Sequence, residues 1–578
     1  MILNKSANNN KHFITAFAVV TIITGTFLRF YNLNWDKGHS FHSDERNLTS
    51  AVIRIQFFSQ MNPGFFSYGS FPVYLYKAGT MIAASVTHDP SWLTDWTKVT
   101  LVGRFFSAFF SSFTLFVVFL LSRRLVSPLT ALLTLWFTTF MPLLIQEAHY
   151  SITESMITFW AVTLTYFCLK QLQEKNHQFH WIQSGCILGL AIATKVSSVS
   201  FILIIGAALL YFMQRLHKGS QRIYQVLLYF VGICTLSFFI YAIVSPYTFL
   251  DWQNFTKAMK FESRAVLGKD VFVTIYQFIG TKPYAFQIKQ FWYTQGILVS
   301  ILSVIGSVYL AYKIFRRRMW LLGFVFIWPL FYFLYVGSWF AKFVRYLVPI
   351  YPFFAIAAAI AVTDFLTILR RKTLKIISPT LASLLVILFL GVIWITPLLQ
   401  AIAFFTIYTA EQSRIQASKW IYQNIPAGSK ILTEHWDEGV PVPLDAPFPP
   451  LSTYQSEQLA IYEPDNDQKI YYYATKLSSA DYVTINSRRL YGTLIRLTDR
   501  YPITSTYYKR LFDGTLGYIK IAQFSVYPSI KLGPWIWEIN DDNAEESFQV
   551  YDHPKVIIFQ NIKHLSQTEF LRILTPTI

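Results

Sequence analysis

Residues 215–246 read RLHKGSQRIYQVLLYFVGICTLSFFIYAIVSP: a basic segment carrying Arg215, Lys218 and Arg222, then a long tract without a single charge. A helix needs about 20 mostly apolar residues to cross the hydrocarbon core of a bilayer, and this tract exceeds that. The basic residues gather at one end only. That asymmetry is an orientation signal, because Lys and Arg concentrate in the short loops on the cytoplasmic side.

The same alternation runs along most of the chain. Apolar tracts lie at about 12–31, 99–122, 127–147, 151–171, 181–195, 197–214, 223–246, 291–312, 319–338, 345–369 and 378–402. Between them lie six short segments carrying Lys5 and Lys11; Arg123 and Arg124; Lys170 and Lys175; Arg215, Lys218 and Arg222; Lys313 and Arg316 to Arg318; Arg370, Arg371, Lys372 and Lys375. Those 17 cations, opposed only by Glu174, supply +16 of the +18 net charge of the 578-residue chain. The charge therefore marks topology and not a nucleic-acid groove. With a cytoplasmic N-terminus, eleven spans put every basic segment inside, whereas ten or twelve would put one outside. The first tract is long enough to span and is followed by no small-residue cleavage site, so it reads as a retained helix. Apolar residues make up 53% and charged residues 14%, far from the roughly 25% charged of soluble domains. The three cysteines, Cys168, Cys186 and Cys234, all fall in apolar tracts and offer neither a disulfide framework nor zinc spacing.

The expected architecture is an all-α polytopic membrane bundle over residues 1–407, with a soluble α/β domain over 408–578. Residues 32–98 and 247–290 become outward loops, and the C-terminal domain lies outward too. In that domain residues 411–424 have helical spacing, and Pro426 with Gly428 ends them before a strand at Lys430–Thr433. Tyr482–Ile485, Leu516–Phe524 and Val556–Phe559 read as further strands, with helices near 502–512 and 565–573.

Polar residues at the outward ends are the candidates for chemistry. His42-Ser43-Asp44-Glu45 precedes Leu48, Val52, Ile55 and Phe58, whose spacing suits a helix lying on the bilayer surface. Ser43 or Asp44 can cap that helix, and Asp44 and Glu45 also stand where a carboxylate takes a proton from an acceptor hydroxyl. Glu154 is an acid just inside an apolar tract, a costly placement that defaults to function. Arg104, Lys195, Lys342 and Arg345 sit at outward ends against the positive-inside trend, and a lipid-linked phosphate would explain them. His149 fits a helix-end role slightly better than catalysis. Asp541, Asp542, Glu545 and Glu546 read as a solvated loop before a cation site; for His435 and Asp437, packing and ligand contact read equally well.

Several stretches together resemble one family. Phe41-His42-Ser43-Asp44-Glu45, Tyr68-Gly69-Ser70-Phe71-Pro72, Val102-Gly103-Arg104-Phe105-Phe106, Gln146 to Glu154, Gly189 to Lys195, and Lys342 to Pro352 are similar, in order and placement, to GT-C glycosyltransferases. The nearest in pattern are dolichyl-phosphate-mannose protein mannosyltransferases and bacterial phospholipid-carrier-dependent enzymes. The resemblance implies a GT-C bundle that moves a mannose-like hexose or related sugar from a polyprenyl-phosphate carrier to a hydroxyl of a protein, lipid or glycan. It implies Asp44 as base with Glu45 and Glu154 in support. Arg104, Lys195, Arg345 and Lys342 become donor-phosphate contacts, and His42, His149 and Tyr68 candidate substrate contacts. Glu154 stands where the family usually has Asp. Gly69-Ser70-Phe71-Pro72 replaces the Lys-Pro-Pro of lipid A aminoarabinose transferases, so that substrate is not supported. A single phosphate linkage demands no metal, and neither metal nor cofactor is expected. The expected location is a bacterial inner membrane. A transporter or flippase is the competing reading; it predicts repeats and midplane polar residues.

Overall fold

The structure, a computed structural model, describes residues 2–174, 179–215, 220–376 and 378–576. Lys175 and Lys218, counted among the basic segments, lie outside the described residues. The chain divides into two compact units. The first takes Met1–Leu33, His42–Leu267 and Lys282–Ile402; the second takes Asn34–Phe41, Gly268–Thr281 and Ala403–Ile578. The main piece of the second unit begins at Ala403, and the unit also gathers Asn34–Phe41 and Gly268–Thr281 from the two large loops.

The first unit is a helical bundle, and the protein is an integral membrane protein. Among the described residues eight helical stretches are long and apolar enough to cross a membrane: His12–Phe30, Trp96–Leu125, Val196–Gln214, Ile223–Val244, Ile297–Arg317, Trp320–Gly337, Val344–Leu369 and Ser383–Asn424. The other three expected spans form shorter or less apolar helices. The tract 127–147 breaks into Pro128–Thr139 and Pro142–Gln146, with Met141 extended between them, because a residue before proline is pushed out of the helical region. The next helix starts only at Glu154 and runs to Gln173, and Phe179–Thr194 is 16 residues long. The break matters for function, since it leaves residues 147–153 as an irregular turn inside the bundle.

The first loop holds helices Ser43–Arg54 and Ser70–Thr87. The helical spacing holds as far as Arg54 and fails beyond it. Ile55 is extended, and Phe58 sits at φ +71° with its ring 99% exposed. The cap is neither Ser43 nor Asp44: His42 is the N-cap residue, and its Nδ1 accepts from the Asp44 N–H at 3.2 Å.

The second unit carries a five-stranded sheet. Its strands are β1 (Lys430–Glu434), β2 (Gln455–Leu459), β3 (Tyr482–Ile485), β4 (Tyr518–Phe524) and β7 (Val556–Asn561), in the order β2-β1-β3-β7-β4. The first three strands are parallel, and β7 runs antiparallel to both neighbours. Period-two alternation divides the strand residues between two cores. Leu432, Val483, Ile557 and Phe559 pack with helices Asp467–Ser479, Pro502–Phe512 and Gln567–Leu574. Ile431, Tyr482, Val556 and Ile558 pack on the other face against Ala417, Ile421 and Ile425, at and just past helix Ser413–Asn424. A separate hairpin of β5 (Ser529–Leu532) and β6 (Trp535–Glu538) completes the strands.

Candidate functional site

Asp44 and Glu45 open the same helical turn and face different partners. Glu45 is fully buried and grips Arg104 with both oxygens: Nε to Oε1 at 2.8 Å and Nη2 to Oε2 at 2.7 Å. The Ser151 backbone N–H donates to the same Oε1 at 2.5 Å, and Arg104 Nη1 donates to the Leu33 carbonyl at 2.8 Å. One ion pair therefore ties helix Ser43–Arg54, helix Trp96–Leu125 and the irregular turn. Arg104, 1% exposed, is turned inward onto this carboxylate. The phosphate contact expected of Arg104 and the support expected of Glu45 thus fall on two side chains that engage each other in this structure.

Asp44 points to the other side. Its Oδ2 pairs with Arg345, which the 3₁₀ stretch Val344–Ile350 delivers, and it accepts the Tyr68 hydroxyl at 3.4 Å. The two partners keep 26% and 16% of their side-chain surface exposed. Burial alone would raise the Asp44 carboxyl, but Arg345, His42 and Lys195 outweigh it and hold it down at about 2. Burial, then the Asp44 and Glu154 carboxylates, push the Tyr68 phenol well above its usual value, so it stays a donor.

A second pair lies on the far side of Tyr68. Lys195 Nζ contacts Glu154 Oε1 at 2.9 Å and sits 5.3 Å from the centre of the Tyr68 ring. Tyr346 offers its ring to the same ammonium at 6.0 Å. Gly69 makes this approach possible. Its N–H donates to the Thr194 carbonyl at 2.9 Å, and a Cβ there would stand 1.9 Å from the Ala193 carbonyl oxygen. The result is two carboxylate–cation pairs, Asp44–Arg345 and Glu154–Lys195, joined through one tyrosine.

The remaining candidates divide. His42, besides capping, packs its ring 4.7 Å from that of Tyr150. His149 has both ring nitrogens on main-chain carbonyls, Ile145 at 2.8 Å and Tyr31 at 2.9 Å, contacts that suit the helix-end role. Lys342 is buried and turns Nζ onto the Phe340 carbonyl at 2.8 Å. Among the described residues no group of three or more His, Cys, Asp or Glu side chains converges to hold a metal ion.

Glu147 and Tyr346 had not been singled out. Glu147 Oε2 is buried with no hydrogen-bond partner among the described residues, within electrostatic reach of Glu154, Arg345, Lys195 and Asp44. A carboxylate in the break before Glu154 was the available signal. In the second unit each member of the acidic cluster is engaged, which corrects the solvated-loop reading. Asp541 holds His553 Nε2 at 2.7 Å, Asp542 pairs with Lys555, Glu545 takes Gln277 at 2.7 Å and Glu546 pairs with Arg489. Asp437 is held by Arg489 at 3.3 Å, the packing alternative.

Residues 88–259 match the family model described as dolichyl-phosphate-mannose-protein mannosyltransferase, in keeping with the resemblance read from the sequence. The match takes in Arg104, Glu154 and Lys195 but neither Asp44 nor Arg345. No curated protein matches the chain in sequence. Among solved structures, the oligosaccharyltransferase of Archaeoglobus fulgidus in its apo form superposes with a TM-score of 0.52 at 14% identity, over 86% of this chain and 73% of that one. ArnT of Cupriavidus metallidurans bound to undecaprenyl phosphate gives 0.41 at 12% identity, over 97% and 99% of the two chains. The protein O-mannosyltransferase Pmt1-Pmt2 complex of S. cerevisiae, bound to its sugar donor, gives 0.35 at 17% identity over 42% and 34%. The chain therefore shares the fold of the archaeal oligosaccharyltransferase.

Proposed function

We propose that the protein is a membrane glycosyltransferase that moves a sugar from a polyprenyl-phosphate carrier to an acceptor hydroxyl on the extracytoplasmic face. The observation that carries this reading is the pair of carboxylate–cation contacts meeting at Tyr68, with one carboxylate already ionised and part of the charge open to solvent. The matched mannosyltransferase family and the fold shared with the archaeal oligosaccharyltransferase support it. The positive-inside arrangement of the basic segments supports the outward face.

In this reading the donor phosphate settles between Arg345 and Lys195, which both have side-chain surface exposed. Arg345 then shares its charge with the phosphate, and Asp44, relieved of part of that cation, becomes more basic when the acceptor is in place. The acceptor oxygen attacks the anomeric carbon from the face opposite the phosphate. Its proton passes to Asp44, and the bond from the anomeric carbon to the phosphate oxygen breaks. The carrier phosphate leaves with the bonding pair, its charge met by the two cations, and the anomeric centre inverts. Glu154 holds Lys195 in position, Glu45 and Arg104 hold the turn, and Tyr68 aligns Asp44.

The test is transfer of radiolabelled sugar from polyprenyl phosphate in proteoliposomes, wild type against Asp44→Asn. Removing a general base costs on the order of 10²- to 10⁴-fold, and that loss is expected in a variant that still folds and elutes as the wild type does. Equal transfer by the variant removes Asp44 as base. Movement of the sugar lipid across the bilayer without any transfer favours the carrier class instead.

A further inference from the structure

The β5–β6 hairpin is the most exposed apolar element of the second unit. Its register pairs Ile530 with Trp537 and Leu532 with Trp535, and directly opposed residues of an antiparallel ladder share a face. One face is therefore wholly apolar: Ile530, Leu532, Trp535 and Trp537. The other carries Ser529 opposite Glu538 and Lys531 opposite Ile536. Leu532 is 71% exposed and Trp535 79%, at the two sides of the Gly533-Pro534 turn, where Gly533 takes φ +58°. A lone two-stranded hairpin is marginal in water, and this one pairs with no other strand.

Its root supplies the second observation. The Pro528 carbonyl accepts the Ile539 N–H at 2.8 Å and closes the base, and the Ser529 N–H donates to Thr406 Oγ1 at 3.2 Å. Thr406 lies in the last turn of helix Pro379–Thr409, whose apolar tract is one of those long enough to span. The hairpin is thereby tied to the place where that helix leaves its apolar stretch, which is the level of a bilayer surface. Paired tryptophans with a lysine beside them are the composition that settles at the headgroup boundary, rings toward the acyl chains and cation toward lipid phosphates.

We infer that the β5–β6 hairpin is a membrane-interface anchor, its Ile530, Leu532, Trp535 and Trp537 face seated in the headgroup region of the bilayer. The anchor fixes the soluble unit at the membrane surface by a contact additional to its covalent helix. This depends on helix Pro379–Thr409 crossing the membrane and not on the transferase reading, so failure of either leaves the other standing.

The experiment uses the full chain in nanodiscs of phosphatidylcholine and phosphatidylglycerol, with Cys168, Cys186 and Cys234 replaced by Ala. A nitroxide is placed by Leu532→Cys, by Trp537→Cys or, as a control on the exposed part of β4, by Ile519→Cys. Each variant is first required to elute as the wild type does. The expected result is that labels at 532 and 537 relax with oxygen and are shielded from a water-soluble nickel chelate, while the label at 519 behaves in the opposite way. Nickel access at 532 equal to that at 519 overturns the anchor. Shielding from both reagents marks cover by protein and overturns it equally.

Discussion

Two adjacent acids, Asp44 and Glu45, end in opposite circumstances. Glu45 meets Arg104 in a bidentate pair whose side chains are 0% and 1% exposed, and a backbone N–H completes its shell. Asp44 meets Arg345 through one oxygen, with 26% and 16% of the side chains open. The first arrangement commits both carboxylate oxygens to the fold. The second keeps charge that an incoming phosphate or hydroxyl can engage. Burial and the number of hydrogen bonds received separate Glu45 from Asp44, the acid proposed as base.

The sharpest break of this comparison is to remove one side of the buried pair. Glu45→Gln or Arg104→Met leaves an uncompensated buried charge, which costs about 3–5 kcal/mol. Either change is expected to abolish the monodisperse folded protein in detergent, read by size-exclusion elution and thermal melting, whereas Asp44→Asn keeps the elution and lowers the melting only by its lost pairing with Arg345. If Arg104→Met folds and melts as the wild type does, the holding role is wrong and a substrate role for Arg104 returns. A smaller effect is expected one residue away. A Cβ on Gly103 would lie 1.8 Å from Ser151 Oγ, so Gly103→Ala must displace the turn whose N–H serves Glu45. Overpacking of this kind costs about 1–3 kcal/mol. The melting temperature should fall without loss of folding, and an unchanged melt would show that the turn is not rigidly held.

What could be read from the chain follows the range of the physics involved. Apolar tracts and basic loops are local and collective, so the bundle and the second unit were legible. Strands were legible at β1, β3, β4 and β7, where β-branched and aromatic residues run together. They were not at β2 and β6, whose polar or wholly exposed residues carry no burial pattern. Candidate charges were legible too, because an ion at an apolar boundary is costly wherever it occurs. Their pairing was not. Arg104 is 59 positions from Glu45 and Arg345 is 301 from Asp44, and nothing in the spacing says which cation reaches which acid. The same distance hid the partners of Asp541 and Glu546, which looked like a solvated run. The break at Met141-Pro142 was marked by its proline, yet a tract of apolar residues outweighed that signal. His42 was missed as a cap because Ser and Asp are the usual choices.

The mildest perturbation sharpens the comparison without touching the buried pair. The Asp44 carboxyl sits at about 2 in the folded state, below its ordinary value near 3.9. Its pairing therefore stabilises the fold above about pH 4 and loses that contribution as pH falls toward 2, the sign expected for a depressed acid. Across the usual assay range the carboxylate is ionised, so wild-type transfer should show no acid limb from Asp44 above about pH 3. Arg345→Gln removes the largest opposing charge and leaves burial to act, which moves the Asp44 carboxyl upward. The variant should then acquire an acid limb at higher pH in kcat/KM, while its melting at neutral pH falls only by the lost Asp44 pairing. Arg345→Lys keeps the charge and should keep the limb near the wild-type position. A limb unmoved in Arg345→Gln would mean that Lys195 and His42 alone set the charge of Asp44, and that Arg345 belongs with the cations that only hold the fold.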